Sequence, residues 1–181
     1  PVTPVCADAL AFDLDQGLPA GGTYSGDGIT TSPEFDPAVA GVGNHTITYT
    51  YTDVSGCTNT ATGSVEVLSV PGLPVITGNT SPACNETGVS YSVTLNAGSS
   101  YSWTVPVGAV IVSGETGPEN NSIVVDFGNT NGSVTVIETN SQGCSSQEAS
   151  LSISLQGCGL DAEFEANETV ICEGSSVIFS D

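Results

Sequence analysis

The amino-acid sequence predicts an all-β protein, built as disulfide-stapled β-sandwich units in tandem. Three observations predict it. Apolar and polar residues alternate in short runs, turn signals return about every eight to twelve residues, and cysteines recur behind two kinds of approach sequence. No segment sustains the 3.6-residue period of a helix.

The first unit is expected over residues 1–70. In "HTITYTYT", Thr46, Thr48, Thr50 and Thr52 face one way, and Ile47, Tyr49 and Tyr51 the other. A polar turn, "DVSGC", follows, and "TNTATGSVEV" then alternates again with Ala61, Val65 and Val67 inward. "SVPGLPVIT" (Ser69 to Thr77) marks a short, stiff connection because prolines restrict its backbone.

The second unit is expected over residues 71–157. Val89, Tyr91, Val93 and Leu95 alternate, as do Tyr101, Trp103 and Val105, and Leu151, Ile153 and Leu155 close the unit. "IVVDF" and "SVTVIE" flank "GNTNG", whose Asn131-Gly132 suits a tight hairpin. Residues 158–181 hold "AEFEA" and "SVIFS", the first two strands of a third, truncated unit.

Six cysteines punctuate this plan. Cys57 and Cys144 end the pattern T-[DN]-x-x-G-C, in "TDVSGC" and "TNSQGC". Cys6, Cys84 and Cys172 end "TPVC", "SPAC" and "TVIC". No two lie at the C-x₂₋₄-C spacing of a zinc site, and no Lys or Arg is present to hold a reactive thiolate. The cysteines therefore read as staples, Cys6 with Cys57 and Cys84 with Cys144, one per unit. Closing loops of this size stabilises a small domain by roughly 4 kcal/mol in the chain-entropy model. Cys158 fits neither pattern. Cys172 is left to pair with Cys158 or with a turn cysteine further along a longer protein, of which this chain reads as an interior piece.

Composition narrows the partners. Twenty residues are acidic and none is Lys or Arg, for a formal charge of −20. Nucleic acid and anionic membrane surfaces are gripped by cations, so neither is an expected partner. The longest apolar run, "VPVGAVIV", is far short of the roughly 20 residues of a membrane-crossing helix.

Catalysis has little to work with. His45 is the one histidine, on the lead-in to a strand, and reads as a solvated or packing residue. Asp13 and Asp15 in "AFDLDQG" share a strand face but lack a cleft or aromatic platform. Calcium is the better use of those carboxylates. "DLDQG" resembles the start of a D-x-D-x-G loop, and Asp27 and Asp36 lie in the same unit. The glutamate that closes such a loop is replaced by Tyr24, so water-facing acidic loops remain the favoured reading. Trp103 and the tyrosines at strand spacing read as core rather than as a sugar platform.

Longer stretches resemble known families. "GGTYSGDGI…FDPAVAGVGNHTITYTYTDVSGCTNTATGSVEV" is similar to the Ig-like repeats of giant Bacteroidota surface proteins. "SYSWTVPVGAVIVSGETGPENNSIVVDFG…GSVTVIETNSQGC" resembles their PKD-like repeats, and "AEFEANETVICEGSSVIFSD" the opening of another. The W-x-F-G-D-G of many PKD domains is absent, since the Trp103 strand continues as "TVPVG". The resemblance implies type IX secretion and a non-catalytic stalk of a cell-surface adhesin or extracellular filament. Its partners would be neighbouring repeats, other copies in a filament, and an unidentified surface or polysaccharide ligand. The alternative is an accessory or carbohydrate-binding module of a secreted enzyme.

Overall fold

A computed structural model describes residues 3–114, 117–158, 165–166 and 179–180. Apart from one short antiparallel pair near the C-terminal end, strand pairing falls into two groups, each with its own apolar interior.

In the first group β1 (Val5–Cys6), β7 (Thr58–Leu68), β6 (Gly43–Thr52) and β3 (Thr23–Ser25) form one sheet in the order β1-β7-β6-β3. A second sheet holds β2 (Phe12–Asp13), β5 (Glu34–Phe35) and β4 (Ile29–Thr31) in the order β2-β5-β4. Leu14, Phe35, Ile47, Val65 and Val67 are buried between them. Alternation explains β6, where Ile47 and Tyr49 are buried and the threonines are not. It fails for the outer part of β7, where residues 58–64, Ala61 included, are all exposed. The chain also makes one helical turn, α1 (Pro37–Ala40), too short to leave a periodic signal. Pro37 starts it and the Asp36 side chain accepts from the Ala38 amide.

The second group is more regular. β12 (Gly117–Pro118), β10 (Ser100–Thr104), β14 (Gly132–Thr139) and β15 (Ala149–Ile153) form one sheet in that order. β11 (Val110–Ser113), β13 (Ser122–Asp126), β9 (Val89–Ser92) and β8 (Thr77–Gly78) form the other. Tyr91, Tyr101, Trp103, Ile123, Val125, Val134 and Val136 fill the space between. Leu95 lies past the end of β9 and is 47% exposed, so the inward series stops at Val93. Gly78 sits against the Tyr91 ring, and a Cβ there would collide with it.

The "GNTNG" segment is not a hairpin. β13 and β14 belong to opposite sheets, so residues 127–131 carry the chain across the sandwich. Asn131 is used instead to accept from the Leu155 amide, 2.7 Å away. Of residues 158–181, β16 (Glu165–Ala166) and β17 (Phe179–Ser180) pair antiparallel, within the two segments expected as strands. The remainder of that expected third unit, Cys172 included, lies outside the described residues.

Candidate functional site

The two T-[DN]-x-x-G-C segments fold alike, and the reason is local. In each, the residue after the threonine turns its side chain back on the loop. The Asp53 carboxylate accepts from the amides of Ser55 at 2.8 Å and Cys57 at 2.9 Å. The Asn140 carboxamide oxygen accepts from Gln142 and Cys144, both at 3.0 Å. Gly56 and Gly143 take φ of 83° and 87°, a left-handed conformation that a side chain would disfavour. A hydroxyl pair clamps each base: Thr52 with Thr58, and Thr139 with Ser145, both at 2.8 Å. These turns are the tips of the β6–β7 and β14–β15 hairpins.

The approach sequences of Cys6 and Cys84 also do one job twice. β1 lies parallel to the end of β7, with Cys6 opposite Leu68. Ala83 bridges Gln156 in the same parallel sense, and the Cys84 amide donates to the Gln156 carbonyl at 2.8 Å. So Cys6 and Cys84 each mark the end of a unit at which the chain leaves it, and Cys57 and Cys144 each mark the opposite end.

That geometry sets the sulfur pairing, which differs from one bridge within each unit. Cys57 and Cys6 are separated by the length of β7, 11 residues, or roughly 35 Å at strand rise. Neither Cys6–Cys57 nor Cys84–Cys144 forms. Cys6 instead joins Cys144 across the junction, over a sequence separation of 138 residues with Cα atoms 5.7 Å apart. Cys84 joins Cys158, with Cα atoms 5.3 Å apart. Both spacings suit a disulfide. Cys158, which matched neither sequence pattern, sits two residues past the Gln156 that pairs beside Cys84, so it closes the second group at its exit.

The junction is held by more than sulfur. The Asn140 side-chain amide donates to the Ser69 carbonyl at 2.9 Å, at the start of the connection. Cys144 is fully buried. Cys57, in the equivalent turn, is exposed and has no sulfur partner among the described residues.

The other candidates do not form a metal-binding group among the described residues. Asp13 is on β2, Asp15 and Asp27 are exposed, and Asp36 caps α1. Among the described residues no group of three or more His, Cys, Asp or Glu is placed to hold a metal ion. His45 Nε2 lies 2.8 Å from the Gly41 carbonyl, a position in which the ring donates. A concavity of about 360 Å³ in the first group is lined by Leu14, Leu18, Tyr24, Ile47, Tyr49 and neighbouring β7 residues. Its lining contains no carboxylate and no histidine. The Tyr24 and Tyr49 hydroxyls accept from the Gly17 and Gly22 amides at 2.6 and 2.7 Å, which ties both rings to the β2–β3 segment. Trp103 is buried and donates to the Asn120 carbonyl at 3.1 Å.

One interior polar cluster left no sequence signal. The buried Glu138 accepts from Asn96 at 2.9 and 3.0 Å and from Ser99 at 2.6 Å, while its own amide donates to Ser146. It braces the base of the Cys144 turn with hydrogen bonds rather than a cation.

Residues 69–154 match the model of the PKD-like domain family. No curated protein matches the chain. Among solved structures, fibronectin(III)-like modules of Clostridium thermocellum CbhA are 13% identical with a TM-score of 0.39, over 84% of this chain and 88% of that one. Murine CEACAM1b is 17% identical with a TM-score of 0.34, over 84% and 95%. A protocadherin gammaB7 EC3-6 cis-dimer structure is 16% identical with a TM-score of 0.32; this chain covers 84% of its own length there and 44% of that one. The all-β build, the two disulfides and the PKD-like match together describe an Ig-like β-sandwich protein of extracellular type, a kind of domain that is typically non-catalytic. No described helix is long and apolar enough to cross a membrane.

Proposed function

We propose that this chain is a non-catalytic stalk segment of a secreted, surface-displayed adhesin or extracellular filament, with units at residues 1–70, 71–157 and 158–181. The observation that carries this reading is the Cys6–Cys144 bridge, which spans the junction rather than a single unit.

The mechanism is mechanical. Tension entering at the N-terminal end reaches Cys6, crosses to Cys144 through sulfur, and leaves by the short run to Cys158. Everything from residue 7 to residue 143 lies outside that path. Without the bridge, a separation of 138 residues stretches to roughly 450–500 Å. With it, the distance between Cys6 and Cys158 cannot exceed about 50 Å, the extended length of the final run. Uncompensated negative charge over the chain, −20 in all, opposes collapse of one segment onto another.

Single-molecule pulling between residue 6 and residue 158 tests this. Oxidised protein is expected to lengthen by no more than about 50 Å between those points, and reduced protein by several hundred. Full lengthening in oxidising buffer overturns the proposal.

A further inference from the structure

The Cys144 turn is seated against the preceding unit, whereas its twin, the Cys57 turn, is exposed and has no unit against it among the described residues. We infer that the tip of the β6–β7 hairpin, Thr52 to Thr58, is a docking site for another β-sandwich unit, whose first-strand cysteine forms a disulfide with Cys57. The partner is a unit placed ahead of residues 1–70 in the same polypeptide, as residues 1–70 are placed ahead of the second unit.

The same turn occurs twice in one chain, and in its second occurrence the partner is visible. Cys144 is completely buried and bonded to Cys6 of the preceding first strand, and Asn140 donates to Ser69 just past that unit's last strand. In the first occurrence the side chains at the tip face outward: Cys57 is exposed, and Val54 is as exposed as in an extended chain. A cysteine at the exit end of its own unit is out of reach, roughly 35 Å away along β7. Among the described residues none brings a second cysteine to this tip, and a separate unit would.

One substitution between the twins specifies the partner further. Asn140 offers an N–H to a carbonyl, but Asp53 is at its place with a carboxylate, which has no hydrogen to give. The surface meeting Asp53 therefore presents a donor, a backbone N–H or a hydroxyl, where Ser69 presents its carbonyl. The bond forms by exchange. The Cys57 thiolate attacks glutathione disulfide and expels one glutathione thiolate. The partner thiolate then attacks the Cys57 sulfur of that mixed disulfide and expels the second, so two thiols become one disulfide as one glutathione disulfide becomes two thiols.

A duplication tests the site. Residues 1–78 are placed ahead of the whole chain, so that the added unit presents its Cys6 to Cys57 across a copy of the native connection. Both proteins are refolded in a glutathione buffer, alkylated and mapped by mass spectrometry. The alkylation rate of the second copy's Cys57 is expected to fall at least tenfold relative to the unfused chain, with a peptide linking it to the added Cys6. Asp53→Asn in the second copy, which restores a donor to face the Ser69 carbonyl, is expected to raise that linkage severalfold. A second fusion guards against failure of the added unit to fold alone. It consists of residues 1–156, then 69–78, then the whole chain, so that Cys84 of the added pair is left without Cys158 and faces Cys57. Cys57 remaining fully alkylated in both fusions, or linking to another Cys57, overturns the inference.

Discussion

Glu138 is a carboxylate buried in a protein without one lysine or arginine, and hydrogen bonds alone satisfy it. Glu138→Ala leaves the Ser99 hydroxyl without its acceptor inside the sandwich. The expected loss is about 1–3 kcal/mol in urea unfolding; an unchanged midpoint would show that the cluster carries no stability. Tyr91 is a second residue whose burial has a measurable consequence. Its ring is fully buried and its hydroxyl donates to the Asn79 carbonyl at 2.6 Å. Burial first, and then the nearby Glu86 carboxylate, push its phenol up to about 12 from 10.0. Between those values the unfolded chain releases a proton that the folded chain keeps, so stability present below pH 10 falls as pH rises toward 12. Urea midpoints measured at pH 9 and pH 11 check this, and Tyr91→Phe flattens the difference. Neither residue was legible beforehand. Tyr91 read only as an inward strand residue, and Glu138 alternates with Ile137 and Thr139 as any strand carboxylate does.

At the scale of elements, alternation located the long strands but not how deeply each inward side chain is buried. Val65 and Val67 are buried as expected, while Ala61 on the same strand is not, because a period of two records which face a residue takes and not whether anything covers it. Pairing partners were harder still. "GNTNG" has hairpin chemistry, yet it connects strands of different sheets, a long-range fact that no local pattern encodes. The two cysteine patterns are two local structures: one is a hairpin tip, a turn the sequence predicts, and the other lies beside a final strand, which the sequence does not predict. Their pairing was misread, because a strand of 11 residues keeps the two apart within a unit. Asn140 links this scale to the next: its carboxamide shapes the turn and also reaches Ser69. Asn140→Ala is expected to cost about 1–2 kcal/mol and to quicken reduction of Cys6–Cys144 by dithiothreitol. Equal reduction rates in the two proteins would separate the turn from the bridge.

Over the whole molecule, the two bridges have different tasks, and single substitutions separate them. Cys84→Ser removes the closure of the second unit, with an expected loss of about 2–4 kcal/mol there. Cys6→Ser leaves both pairs of sheets with their own cores and frees the junction. Small-angle scattering is expected to show a broader distribution of distances in the Cys6→Ser protein, with each unit's melting transition nearly unchanged. A collapse of both transitions would mean that the bridge stabilises the units themselves instead of their connection.

The central claim is that sulfur crosses the junction. Because the chain offers trypsin no Lys or Arg, cleavage at acidic residues such as Asp8, Glu66, Glu86 and Glu148 is the way to separate the cysteines. Mass mapping of the unreduced digest should find Cys6 linked to Cys144 and Cys84 linked to Cys158, with Cys57 alkylated. A peptide joining Cys6 to Cys57 would contradict the braced junction and everything built on it.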